Sequence, residues 1–453
     1  MAETSEQPGP ADAGRQDDRR PGSRLHVGPG GVRVPRGGGP VRTFLAFAGP
    51  GLMVAVGYVD PGNWATDLAG GARHGYVLLS VVLIANLMAM LLQHLAVRLG
   101  VGTGRDLAQA CREAYSRPVG VALWLLAELA IAATDLAEVI GSAIALKLLV
   151  GLPLVIGVFL TALDVLAVLL LQRRGARYLE SVVGGLILVI LIAFGYEMVV
   201  AQPSVAGIVA GFLPRPQLVT DPATLYLAIG ILGATVMPHN LYLHSSIVQS
   251  REYGSGERAR RAALRYATLD STVALAGAFV INAAILVLSA AAFHGGAHQN
   301  VADINDAYRL LAPVLGAGLA SVAFGIALLA SGQNSTLTGT LAGQVVMEGF
   351  VRIRLRPWVR RLITRASAVV PAAIVAATSG ARGEGSLLVL SQVILSAQLS
   401  FAVVPLVRFT SDRRRMGGFA APRWLAALAW FVTVVIAVLN GYLLVRAIAT
   451  GLG

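Results

Sequence analysis

GPGLMVAVGYVDPGNWATDLAGG, residues 49–71, is apolar and long enough to cross a membrane, yet it carries Asp60, Pro61, Gly62 and Asn63 at its middle. A transmembrane helix needs about 20 mostly apolar residues. Proline removes an amide donor and clashes with the preceding turn, and the adjacent glycine loosens the backbone, so the helix is expected to unwind there. An ionised carboxylate at the bilayer centre costs about 2.5–3.5 kcal/mol on insertion scales, so Asp60 needs a cation or a donor beside it. The design returns in LAIGILGATVMPHNLYLHSSIVQS, residues 227–250, where Met237, Pro238, His239 and Asn240 interrupt the run.

With these two segments the chain contains eleven apolar stretches, at about 43–71, 76–98, 118–149, 151–172, 180–200, 224–250, 267–293, 314–347, 359–379, 386–407 and 424–447. The interrupted spans are thus the first and the sixth. With five spans per unit the second unit starts on the opposite side of the membrane, as an inverted repeat requires, and broken helices at matching positions point to a binding site at the midplane. The expected fold is an all-α integral membrane protein. Its parts are repeats over about 43–200 and 224–407, an added helix over about 424–447, and a leading segment 1–40 too polar and Gly/Pro-rich to fold by itself.

Composition agrees with this class. Hydrophobic residues make up 56% of the 453 and charged residues 13%, against about 25% charged in soluble domains. The net charge is +12, and all but one of the 36 basic residues are Arg. Thirty of them fall in the leading segment and in alternate connections, while six, Arg73, Lys147, Arg215, Arg309, Arg382 and Arg446, lie on the other side. Cytoplasmic loops retain Arg and Lys, so the N-terminus is expected inside and the C-terminus outside a cell inner (plasma) membrane. The partner implied by the basic balance is the lipid bilayer and not nucleic acid, since aromatics are few at 6%. A single cysteine, Cys111, excludes internal disulfides and Cys-based metal clusters. No HExxH, GxSxG or phosphate-binding loop is present, and GTGR at 102–105 lacks the Lys-Ser/Thr ending, so neither an enzyme nor a bound cofactor is expected.

At the two breaks, the carbonyls of Gly57 and Ala234, the oxygens of Asp60 and Asn63 and the thioether of Met237 are candidates to converge on one ion. Oxygen ligands alone suit magnesium or calcium; a soft sulfur shifts preference toward Mn(II) or Fe(II). The competing interpretation is a pair of ordinary proline kinks in a packed bundle.

The motifs DPGN at 60–63, MPHNLYLHS at 237–245, SGQNSTLTGTLAGQ at 331–344 and LLQRRG at 170–175 resemble the Nramp family of divalent metal transporters, particularly its bacterial proton-coupled manganese transporters. The resemblance runs from about residue 43 to 447. It implies a LeuT-like fold of eleven spans in which Asp60, Asn63 and Met237 bind metal with the carbonyls of Ala234 and Gly57. It adds Gln392, in LSQVILS, as a further ligand in part of the cycle. Gly57 stands where some members have Ala, which leaves a carbonyl ligand intact. Met237 argues against the magnesium-carrying branches that lack it.

The third span places Glu128, Asp135 and Glu138 at spacings of seven and three, on one helical face. Intramembrane acids and histidines mark proton relays or ion paths, and His239 and His244 flank the second break. The resemblance implies that Asp60 accepts a proton, that Asp135 and Glu138 pass it inward, and that Arg360 or Arg361 pairs with these acids. Structural salt bridges are the plainer alternative for the acids, and a carbonyl contact for His244. Asp164 receives no role, and Asp67 is expected near a solvated outer mouth. The reading is a proton-coupled importer of divalent transition metal by alternating access, with Mn(II) foremost and Fe(II) also, and no obligate protein partner. The alternative is a LeuT-like carrier of amino acids or other organic solutes, which would need a larger apolar pocket and fewer intramembrane acids.

Overall fold

The structure, a computed structural model, describes residues 32–34, 39–161, 163, 170–171, 174–254, 256–295, 304–316, 318–351, 359, 363, 366, 368–374 and 380–449. The main helices are α1 (Pro40–Phe47), α2 (Pro50–Ala55), α3 (Pro61–His74), α4 (Leu79–Thr103), α5 (Leu107–Ala114), α6 (Arg117–Val150), α7 (Leu154–Thr161), α8 (Ala176–Ala201) and α9 (Val205–Gly211). They continue as α10 (Pro222–Thr235), α11 (Pro238–Ile247), α12 (Glu257–Phe293), α13 (Ile304–Leu315), α14 (Ala320–Val351), α15 (Gly380–Ser411) and α16 (Arg423–Ala449). The one sheet among the described residues is a parallel pair of two-residue strands, Val32–Arg33 beside Arg251–Glu252, which sets part of the leading segment against the body.

Seven helical stretches among the described residues are long and apolar enough to cross a membrane, or eight if the bent pair α1 and Pro50–Val59, inclined at 44°, forms one span. One of the seven, Pro61–Thr103, has 43 residues. At about 1.5 Å per residue that is roughly twice the hydrocarbon thickness, and Gly75, at φ 59°, turns the chain between α3 and α4. The expected span at 314–347 falls on α14, whose Ser, Thr, Asn and Gln dilute its apolar character. The expected spans 151–172 and 359–379 are described only in part, and Asp164, Arg360, Arg361 and most of 1–40 lie outside the described residues.

Burial sorts the spans into centre and rim. In the Pro222–Ser250 stretch 89% of the most apolar window is buried inside the protein, against 28% in α8 and in α16, so the second broken segment is central and those two helices face outward. At the centre Trp64 of α3 packs against Phe194 of α8 and Phe324 of α14, with ring centroids 5.0 and 5.1 Å apart. Rim residues such as Ile192, Val199 and Val434 leave more than half of their surface uncovered, as helices in contact with lipid tails do.

Candidate metal site and proton route

Both interruptions have the same construction. The helix α2 tightens into a 3-10 turn at Val56–Val59, Asp60 adopts extended backbone (φ −73°, ψ 165°), and α3 restarts with Pro61 in its first position. In the sixth segment α10 ends at Thr235, Val236 and Met237 leave the helical region (ψ 82° and 122°), and α11 restarts with Pro238. Proline suits a first helical position because its missing N–H would have had no partner there. The breaks expose backbone groups, and most are answered locally. Asn282 Nδ2 donates to the Tyr58 carbonyl (2.7 Å), and Trp64 Nε1 (3.3 Å) and the Ser331 hydroxyl donate to that of Val59.

Asp60, Asn63, Ala234 and Met237 are all buried. The Asn63 amide and Nδ2 both donate to Asp60 Oδ1, at 2.8 and 2.7 Å, and Asn63 Nδ2 also reaches the Ala234 carbonyl at 3.1 Å. One asparagine therefore joins the carboxylate of the first break to the carbonyl of the second. Asp60 Oδ2 has no hydrogen-bond partner. Gln392 of α15 packs on Gly62 of the same break, its Nε2 standing where a β-carbon on that glycine would fall, and its Oε1 is buried without a partner. Gly57 sits one turn before the break, with the Asn240 side chain against its Cα and Asn240 Nδ2 3.5 Å from the Val54 carbonyl. Met237, buried completely, caps α11.

Asp135 and Glu138, both buried, face α14. A β-carbon on Gly339 would lie 3.1 Å from Glu138 Oε1 and 3.6 Å from Asp135 Oδ1. Glu138 accepts hydrogen bonds from Ser335 Oγ (2.9 Å) and Thr336 Oγ1 (3.0 Å). His239 Nδ1 lies 3.5 Å from Oγ1 of Thr134, the residue before Asp135 in α6, while its Nε2 is buried without a partner. Glu128, two turns earlier on α6, is half-buried and accepts from Trp124 Nε1 (3.1 Å). His244 belongs to a different chain of contacts: its Nδ1 is 2.9 Å from Gln93 Oε1, and Gln93 Nε2 donates to the Tyr58 hydroxyl (2.8 Å).

Residues 51–446 match the family described as "Natural resistance-associated macrophage protein-like". The chain belongs to the Nramp family. It is 59% identical over 419 residues to a divalent metal cation transporter MntH of Listeria welshimeri, covering 92% of this chain and 94% of that one. To the transporter of the same name in Xanthomonas campestris it is 61% identical over 409 residues, covering 90% and 92%. Among solved structures it is similar to a mutant of the Eremococcus coleocola manganese transporter, with TM-score 0.86, 41% identity and coverage of 92% and 90%. The same transporter in complex with an aromatic bis-isothiourea substituted compound aligns at TM-score 0.84 and 42% identity, covering 90% and 88%.

Within this Nramp chain the structure also corrects one expectation and reveals contacts that sequence reading misses. Asp67 is buried and its Oδ2 has no partner, so it is no solvated mouth residue: α3 continues past it and packs closely on α12. Glu197 of α8, unremarked in the sequence, is buried with both carboxylate oxygens unpartnered. Arg251, which reads as one loop arginine among many, is buried and pairs with Glu180 at 2.6 Å. Such a pair has no local signature, because its members are 71 positions apart.

Proposed function

We propose that this Nramp chain is a proton-coupled secondary transporter that imports divalent transition-metal ions, Mn(II) foremost and Fe(II) also, by alternating access. The observation that carries the reading is Asp60 Oδ2: a buried carboxylate oxygen left without a protein partner at a helix break, beside Asn63, the Ala234 carbonyl, Gln392 and the Met237 segment. A buried charge left unpaired is too costly to persist without a cation or a proton. Asp60, Asn63, Met237 and the carbonyls of Ala234 and Gly57 would hold the metal, with Gln392 joining in part of the cycle. The thioether supplies the softness that disfavours calcium and magnesium. The proton released or taken up at Asp60 would pass by His239 to Asp135 and Glu138 and on toward Glu128, with Arg360 or Arg361 as counter-charges and His244 at the flank. The names of the Listeria and Xanthomonas relatives and of the Eremococcus structures support a divalent metal as cargo.

The architecture that goes with this mechanism is LeuT-like: eleven spans, two inverted five-helix repeats with helices one and six broken, and one added helix. The chain would sit in the cell inner membrane with its N-terminus in the cytoplasm and its C-terminus outside. Manganese uptake into proteoliposomes loaded with a pH-sensitive dye, with excess calcium or magnesium as competitor, tests the reading. Saturable uptake with luminal acidification is expected, and Asp60→Ala should abolish it. Full uptake by that variant would overturn the site, and uptake without acidification would overturn the coupling.

A further inference from the structure

Two of the six basic residues on the arginine-poor face, Arg73 and Arg215, line a single cavity of about 370 Å³, and two of the seven histidines, His74 and His294, line it with them. The walls come from separate parts of the chain: the end of α3 and the turn after it, the segment between α9 and α10, and the turn after α12. Close contacts set its shape. A β-carbon on Gly75 would lie 2.9 Å from His294 Cδ2, and one on Gly207 would lie 2.7 Å from the Tyr76 ring.

Two arginines and two histidines line the cavity, and no carboxylate among the described residues does. Among the described residues neither Arg73 nor Arg215 forms an ion pair. His74 Nε2 is buried with no partner, its Nδ1 being 3.2 Å from Thr224 Oγ1. The neighbouring carboxylate, Asp221, caps α10 and is engaged by the amides of Ala223 and Thr224. Cations are favoured in the last turn of a helix, which accounts for Arg73 and His74 in α3 but for neither Arg215 nor His294, brought in from elsewhere.

Beside the cavity the chain is apolar and uncovered. Along α9 and its continuation Val205, Val209, Leu213 and Val219 are 64–74% exposed. The opposite face of α9 carries Gly207 and Gly211, both pressed on Tyr76. A basic cavity next to an exposed apolar strip matches a ligand with an anionic head and apolar tails. We propose that this pocket binds the phosphate headgroup of an anionic phospholipid from the leaflet on this side, with the acyl chains along Val205, Val209 and Leu213. Guanidinium groups bind phosphate oxygens bidentately, and basic pockets between membrane helices take up anionic headgroups. A headgroup seated here joins the end of α3, whose other end is capped by Asp60, to α12 and to the segment before α10.

The test is independent of metal and proton transport. Native mass spectrometry of the full-length protein in detergent, given phosphatidylglycerol or phosphatidylcholine and then millimolar inorganic phosphate, reads the retained ligand directly. The wild type should retain phosphatidylglycerol in preference to phosphatidylcholine and keep it in the presence of phosphate. Arg215→Gln, at an exposed position that does not threaten the fold, should weaken retention about tenfold, the loss expected for one charge-assisted contact. Arg309→Gln, an exposed arginine away from the cavity, should leave it unchanged. Displacement of the lipid by millimolar phosphate would make free phosphate the ligand and overturn the lipid proposal. Equal retention by the wild type and by the Arg73→Gln, Arg215→Gln double variant would overturn the site itself.

Discussion

Asp60 offers one oxygen to Asn63 and leaves the other without a partner, and the side chains around it differ in charge and softness. Met237 contributes no charge, so its effect is expected in selectivity. Met237→Ala should still take up manganese but lose most of its discrimination against calcium and magnesium, because oxygen ligands alone suit those ions. Unchanged competition curves would remove the argument from the sulfur. Glu138 is held differently, by hydroxyl donors from Ser335 and Thr336 on a facing helix. Glu138→Gln keeps the shape and removes the titratable group, so acidification should largely disappear while metal affinity measured by calorimetry stays close to wild type. Normal acidification traces in that variant would reject the relay role.

At the scale of elements, the short helix α5 ties the turn after α4 to the second broken segment, since the Leu107 amide donates to Ser245 Oγ (2.9 Å) and Asp106 caps the helix through the Gln109 amide (2.8 Å). Burial pushes the Asp106 carboxyl up to about 7, against the opposing pull of the Gln109 amide and of Arg112. Between the ordinary aspartate value and about 7 the folded chain keeps a proton that the unfolded chain releases, so stability is greatest below this window and falls as pH rises through it. Asparagine caps a helix as well as aspartate does. The melting temperature of the wild type should therefore fall relative to Asp106→Asn from about pH 5 to about pH 8, and a constant difference over that range would refute the assignment. The two helix breaks are legible in the sequence because Pro and Gly act on their own neighbours, whatever the rest of the chain does. Gln392 becomes a candidate only through the family resemblance, and the contacts of Ser335 and Thr336 with Glu138 appear only when α14 is laid on α6, nearly 200 positions away. The burial of Asp67 is hidden from the sequence for a related reason: it is decided by the packing of α3 on α12, and nothing adjacent in sequence signals it.

For the molecule as a whole, the alternating access proposed above requires that one face be held shut by contacts able to release, and the contacts at the arginine-rich end of the first broken segment are the candidates. Arg177 donates to the carbonyls of Leu45, Ala46 and Ala48, and Arg251 donates to those of Phe47 and Ala48, so the end of α1 is held by two cations. Glu180 pairs with both arginines. Asp270 of α12 accepts from the amides of Gly49 and Gly51 at the start of α2. Gly49, at φ 132°, has no room for a side chain, since a β-carbon would collide with the Glu180 carboxylate. The first broken segment is thereby fastened to α8 and α12 at its arginine-rich end. Removing one member of a buried pair costs about 3–5 kcal/mol because the other charge is left uncompensated. If these contacts form the gate, Glu180→Gln shifts the population toward an arrangement open on this face. Asp270→Asn, which keeps an acceptor for both amides, should have a smaller effect in the same direction. The chain's only cysteine, Cys111, is buried, so a Cys111→Ser background with a single cysteine at Ala48 reports the opening cleanly. Thiol labelling at that position should be faster in Glu180→Gln than in the parent, and manganese binding should persist. Equal labelling rates in a variant that still binds manganese would show that these contacts fasten the fold and take no part in the gate.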